Sequence, residues 1–275
     1  MASVTNRINT INQPRGGYLK PSMLKVIQLE DDKTLNEENV HVSIVGMAVD
    51  YLTRYMLNKN KGADEIANLE SSFAISIKGY KYRIKKLGEK VHQLDIKKKV
   101  DIESLLNNIK GLDDESIISA CLAVTYDVYF RNPVAALHTP EVDTIEVDKM
   151  TIENISIMVN RSISFFDRYG PVIKDGFTFE GGYTSLIDSG DGDYLSNDTI
   201  WDFKVSKNKP TNKHTLQLLI YYIMAKHTKK KEFGNVSKIR IYNPRLNTMY
   251  TYDMAEMRED IIKEIEVEVI GYRNK

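Results

Sequence analysis

A chain of 275 residues with 42% apolar side chains can bury a sizeable core, either as one large domain or as a compact core carrying an insertion. Its 38 basic and 38 acidic residues cancel, which excludes bulk attraction to a polyanion and leaves only a local basic surface for any contact with nucleic acid. The single cysteine, Cys121, excludes an internal disulfide framework and a four-cysteine zinc or iron–sulfur site within one chain. No apolar run approaches bilayer length and no basic-then-apolar leader opens the sequence, so a cytoplasmic protein without membrane contact is expected.

Taken in chain order, residues 1–40 read as irregular, punctuated by Pro14, Gly16, Gly17 and Pro21. A helix is predicted from Ser43 to Leu57, with Ile44, Met47, Ala48, Tyr51 and Tyr55 at helical spacing and Ser43 as N-cap. Further helices are expected over 64–86, within 98–110, over 113–131 and over 149–169. Asp113 and Asp114 suit the positive start of the third of these, and Asn132-Pro133 and Gly170-Pro171 supply stops. The texture then changes to short alternating runs rich in Gly, Thr, Tyr and Asp over 175–205, which read as strands and turns. A helix over 212–227 carries the stripe Leu216, Leu219, Ile220, Ile223 and Met224. Strands at 236–242 and 248–253 flank a turn at 243–247, and a helix over 255–270 closes the chain. There is no internal repeat, and Lys229-Lys230-Lys231 reads as a solvated loop.

The chemistry-bearing segment runs from Asp191 to Lys204. Asn197-Asp198 suits a two-residue hairpin turn between two alternating runs. With that pair as the loop, Leu195 faces Ile200, Tyr194 faces Trp201 and Asp193 faces Asp202. Side chains alternate faces, so Asp191, Asp193, Leu195, Ile200, Asp202 and Lys204 share one face, and Tyr194, Trp201 and Phe203 the other. Directly opposed carboxylates stand about 4.5–5.5 Å apart at Cβ and repel, which calls for a cation or a proton between them. A hard divalent ion held by one or two carboxylates and water is the natural solution. Lys204, two residues past Asp202, can hold an attacking water or a phosphate oxygen beside it.

An acidic residue on one strand, a short hairpin and then Asp202-Phe203-Lys204 resembles the PD-(D/E)XK nuclease superfamily. Asp193 matches its first acid, and Asp202 with Lys204 the (D/E)XK element. Gln217-Leu-Leu-Ile-Tyr221 resembles the Gln-x-x-x-Tyr helix of the RecB-like branch, in which two residues four apart share a helix face. Gly46-Met-Ala-Val-Asp50 resembles that branch's first-helix element, where a helix-borne acid completes the metal site. The resemblance implies an α/β fold with a restriction-endonuclease-like αβββαβ core: a small mixed sheet flanked by helices. Residues 43–58 and 171–275 would form the core of a single domain, and 59–170 a mostly helical insertion. It implies Mg²⁺- or Mn²⁺-dependent hydrolysis of nucleic-acid phosphodiesters, with DNA as the expected partner. Asp193 and Asp202, with Asp50 as third ligand, would bind the metal. Lys204 would position the nucleophile, and Gln217 and Tyr221 would orient Lys204 or the strand.

Other readings of the same residues stay open at this level. Asp50 with Arg54 can form a surface helical ion pair, and Asp191 can be a turn former. Gln217 can be an ordinary polar helix residue and Tyr221 part of the core. His214, near a helix start, reads as solvated. Arg245 can contact phosphate or cap a helix. The rival functions are a catalytically inactive module that binds nucleic acid or a protein partner on a nuclease scaffold, and a structural or inhibitor protein.

Overall fold

The computed structural model describes residues 2–273. The chain divides into two compact units, a sheet-bearing unit of Met1–Asp31 with Phe165–Lys275 and a helical unit of Asp32–Ser164. In chain order, the sheet unit begins with β1 (Ala2–Ser3), α1 (Val4–Thr10) and β2 (Lys25–Gln28). The helical unit follows with α2 (Val42–Asn60), α3 (Glu65–Ser72), α4 (Ala74–Leu87), α5 (Glu89–Lys98), α6 (Ile102–Asn108), α7 (Asp114–Val124) and α8 (Asp127–Arg131). Next comes α9 (Lys149–Tyr169), whose last residues enter the sheet unit. That unit continues with β3 (Lys174–Thr178), β4 (Ile187–Ser189), β5 (Asp191–Leu195), β6 (Thr199–Phe203) and α10 (Asn212–Thr228). It ends with β7 (Lys238–Asn243), β8 (Thr248–Asp253) and α11 (Glu259–Glu264). Among the described residues no helix is long and apolar enough to cross a membrane.

The sheet unit is a mixed sheet flanked by helices, with strand order β2-β8-β7-β6-β5-β3. Within this six-stranded sheet only β6 and β7 run parallel and the other neighbours are antiparallel, while β1 pairs in parallel with β4 in a separate two-stranded sheet. A parallel pair needs a crossover, and α10 supplies it between β6 and β7. Its residues Leu216, Leu219, Ile220 and Ile223 share a fully buried cluster with Leu195, Ile200, Ile239 and Ile241. Burial of each such side chain contributes about 1.5–3 kcal/mol. The opposite face is aromatic: Phe165 stacks on Tyr242 at 3.7 Å and meets Trp201 edge-on at 5.3 Å, and Phe166 lies 4.7 Å from Tyr194. The two alternating residue sets of the hairpin therefore sit in two separate cores, as the period of two requires.

The N-terminal residues expected to be irregular carry α1 and β2. Both are too short for a periodic signal and are made by partners elsewhere: β2 pairs with β8, and Arg7 of α1 donates to the carbonyls of Glu268 and Val269. The helix expected over 64–86 is broken at Phe73, which is fully buried and meets Tyr51 edge-on. The helix expected over 113–131 breaks at Thr125-Tyr126, where the Tyr126 hydroxyl donates to Val100 O at 2.7 Å. The helix expected within 98–110 is α6, α5 precedes it where no helix was expected, and the helix expected over 255–270 starts at Glu259 and widens into a π-helical turn over Ile265–Ile270.

By its contacts, α2 belongs to the helical unit, where it packs on α3 and α7, rather than to a sheet-bearing core as expected for 43–58. That unit holds a buried carboxylate, Asp127, at 1% exposure. It accepts from the Ser76 hydroxyl at 2.6 Å and the Tyr51 hydroxyl at 2.5 Å, and it pairs with Arg131 at 3.5 Å. Burial raises its pKa, against the hydrogen bonds from Ser76 and Tyr51 and the Arg131 charge, which lower it.

Candidate metal centre

The centre begins with the hairpin register. Tyr194 faces Trp201 and Leu195 faces Ile200, and Ser196 N–H donates to Thr199 O at 3.0 Å across the two-residue turn. This is the expected register. Beyond Tyr194 the strands depart from the expected Asp193–Asp202 pairing. The ladder stops, and the Asp193 carboxylate accepts the Phe203 backbone N–H at 2.8 Å. Asp193 is thus held by its own hairpin partner strand, half-buried, at the C-terminal end of β6.

Asp202 is fully buried. One of its oxygens, Oδ1, accepts from the Lys204 ammonium at 2.6 Å. The other, Oδ2, is buried with no hydrogen-bond partner. Leaving a buried acceptor unmade costs roughly 1–3 kcal/mol, more for a charged group. Lys204 continues the strand direction, its N–H donating to Tyr242 O at 3.0 Å, and its side chain is 29% exposed.

From α10, Gln217 Nε2 donates to the Tyr221 hydroxyl at 2.9 Å, so the pair expected to share a helix face is joined directly. Burial raises the Tyr221 phenol far above its ordinary value, the Gln217 bond opposes this, and the charges of Asp193, Asp202 and Asp191 add to it. The phenol therefore stays protonated. The ring stacks on Phe179 at 4.9 Å. Above it, the chain at Gly190 comes so close that a Cβ would stand 2.7 Å from Val4 and 3.4 Å from the Tyr221 ring, a space that only glycine leaves open. Asp191 is exposed at the first position of β5.

His214, read from the sequence as solvated, is a capping residue of α10. Thr211 and His214 form a capping box in which the Thr211 N–H donates to His214 Nδ1 at 3.1 Å. That bond leaves the proton of the neutral ring on Nε2. Burial lowers the imidazole pKa, with Asp202 acting to raise it and Lys204 to lower it. The signal in the sequence was the Thr-x-x-His spacing, with His where a capping box usually has Glu or Gln.

Asp50 lies in the helical unit, where Arg54 grips both its oxygens at 3.0 and 2.9 Å. This is the helical ion pair that the sequence left open. Among the described residues no group of three or more His, Cys, Asp or Glu side chains is arranged to hold a metal ion. Arg245 sits in the 243–247 turn, its N–H bonded to Asn243 Oδ1 at 3.0 Å.

The donor set that remains is two carboxylates, one with a buried unpartnered oxygen, beside an ammonium and a protonated phenol. Such oxygen donors suit a hard cation that keeps several of its own waters. No family model, no curated protein and no solved structure matches this chain.

Proposed function

We propose that this protein is a Mg²⁺- or Mn²⁺-dependent nuclease that hydrolyses phosphodiester bonds, with DNA as its substrate. The observation that carries the reading is the unpartnered Oδ2 of the fully buried Asp202, whose other oxygen holds Lys204. The order of elements lends support: β3, β5 and β6 run antiparallel, α10 crosses over, and β7 returns parallel to β6. This follows the βββαβ part of a restriction-endonuclease-like core. The site lies at the C-terminal end of the parallel pair, where open α/β sheets place their ligands.

Asp193 and Asp202 would hold the metal. When bound, it supplies Lewis acidity, neutralising charge on the phosphoryl oxygens and making water more acidic. Lys204 then has a second task. Its ammonium, now paired with Asp202, can turn to a phosphate oxygen or to the attacking water, aided by its partial exposure. Tyr221 remains a proton donor, and Gln217 fixes the direction of its hydroxyl.

One observation favours the rival, a binding module without catalysis: Lys204 already neutralises Asp202 at 2.6 Å. A buried carboxylate so paired needs no metal for its charge. Incubation of the protein with linear, circular and single-stranded DNA in Mg²⁺, Mn²⁺ or EDTA separates the two. The nuclease cleaves in Mn²⁺ and not in EDTA. No cleavage of any substrate, with no Mn²⁺-dependent rise in melting temperature, leaves the binding module.

A further inference from the structure

The net charge of zero hides an uneven distribution around the start of α10. Three segments converge there. The loop from Lys204 to Thr211 joins β6 to α10, and Asn243 holds it in place by donating to Ser206 O at 2.8 Å. The N-terminal loop packs on the first turn of the helix: Gln13 Nε2 donates to Asn212 O at 3.2 Å and the Thr215 hydroxyl to Leu19 O at 2.6 Å. Gly17, at φ +93°, passes so close that a Cβ would stand 2.7 Å from Asn212 Cβ. The third segment is the first turn of α10 itself, where Lys213 is exposed and reaches Asn9 at 2.9 Å.

These segments carry Arg15, Lys20, Lys207, Lys209 and Lys213, all exposed. Chain length bounds their spread. Lys209 is three residues from Asn212, so its backbone lies within about 11 Å of the helix start, and Arg15 is two residues, at most about 7 Å, from Gln13, whose side chain bonds Asn212. Arg15, Lys20, Lys207 and Lys209 form no ion pair among the described residues, while Lys174, Lys230 and Lys238 elsewhere in this unit are each matched to a carboxylate. The aromatic residue of these loops, Tyr18, is packed against the core and turned toward Glu264. Proteins that hold single strands stack bases on exposed aromatic rings, which this surface lacks.

We propose that Arg15, Lys20, Lys207, Lys209 and Lys213 form a docking surface for the phosphate backbone of duplex DNA, contacting phosphates and not bases. The inference rests on the nuclease reading for the choice of DNA, and on the charge pattern for the form of the contact. Such contacts carry no sequence information and release counterions, so affinity falls with salt by a slope of about 0.9 per phosphate neutralised.

The test is binding of a fluorescent 25-base-pair duplex in EDTA, by anisotropy, between about 50 and 200 mM salt. Lys207→Gln with Lys209→Gln lowers the log–log slope by about 1.8, so the fourfold rise in salt costs this variant about tenfold less affinity than it costs wild type. Lys229→Gln with Lys231→Gln, at the far end of α10 about 25 Å away, leaves the slope unchanged. The duplex binds more tightly than the single strand or an RNA duplex of equal length. An unchanged slope in the first variant, or tighter binding of the single strand or the RNA duplex, overturns the proposal. Because the assay contains no metal, it is separable from catalysis: duplex binding with the expected slopes but no cleavage in Mn²⁺ sinks the nuclease reading and keeps the surface.

Discussion

Among the buried aspartates, Asp127 in one unit and Asp202 in the other are similarly hidden and differently served. Asp127 in the helical unit is 1% exposed, and both its oxygens are taken, by Ser76, Tyr51 and Arg131. Asp202 in the sheet unit is fully buried, and one oxygen is taken while the other has nothing. Asp127 is saturated with partners, as the cost of burying an unmet charge favours. Asp101 in the helical unit is also buried with its Oδ2 unpartnered while Oδ1 caps α6, so an orphaned oxygen alone does not mark a functional acid. Asp202 differs in that its other oxygen holds the partly exposed Lys204 ammonium.

The comparison breaks first at Asp202. Asp202→Asn should lower Mn²⁺-dependent plasmid cleavage by at least about 10²–10³-fold, the scale of losing one electrostatic element of an active centre. Its metal-free stability should change by no more than about 1 kcal/mol. The lost Lys204 pair costs little because Lys204 reaches solvent, and relief of the orphaned oxygen offsets it. Lys204→Ala should lose cleavage and keep metal-dependent stabilisation.

Asp127→Asn should do the opposite. Removing the charge that Tyr51, Ser76 and Arg131 were built around should destabilise the helical unit by about 2–4 kcal/mol in denaturant titration. A neutral effect there would mean that saturation does not mark a structural acid.

A smaller effect concerns acid. The folded-state pKa of His214 is lowered by burial, so unfolding takes up a proton there. Its contribution to stability is present above the unfolded value of about 6.5 and is lost as pH falls through the folded one. The melting temperature of wild type should therefore fall between pH 7 and pH 5, and His214→Gln should show a shallower fall. Equal slopes would place His214 in solvent.

The smallest effect is expected at Asp50, whose carboxylate Arg54 already holds. Asp50→Asn should leave the Mn²⁺-dependent rise in melting temperature unchanged. Loss of that rise would restore Asp50 as a metal ligand.

Much of the hairpin was legible because a two-residue turn and a period of two leave a single register once the turn is located. Leu195–Ile200 and Tyr194–Trp201 pair as the alternation demands. The helix over Lys149–Tyr169 and the strand over Thr248–Asp253 were legible for similar reasons, long periodicity and clear stops. The end of the ladder was not. Whether Asp193 faces Asp202 or turns to the Phe203 N–H depends on how the strands splay, and side-chain period does not encode it. β2 exists only through β8, and the break at Phe73 only through Tyr51, so neither leaves a local trace. The role of Asp50 was undecided because an acid four residues before an arginine looks the same whether it serves a metal or a helix.

The most direct test of the central claim is a thermal melt of wild type and Asp202→Asn over a Mn²⁺ titration. A ligand that binds only the native state stabilises it by about 2.7 kcal/mol at one hundred times its Kd. Wild type should show a saturable, concentration-dependent rise in melting temperature and Asp202→Asn none. Equal shifts in both proteins, or none in wild type, would contradict it.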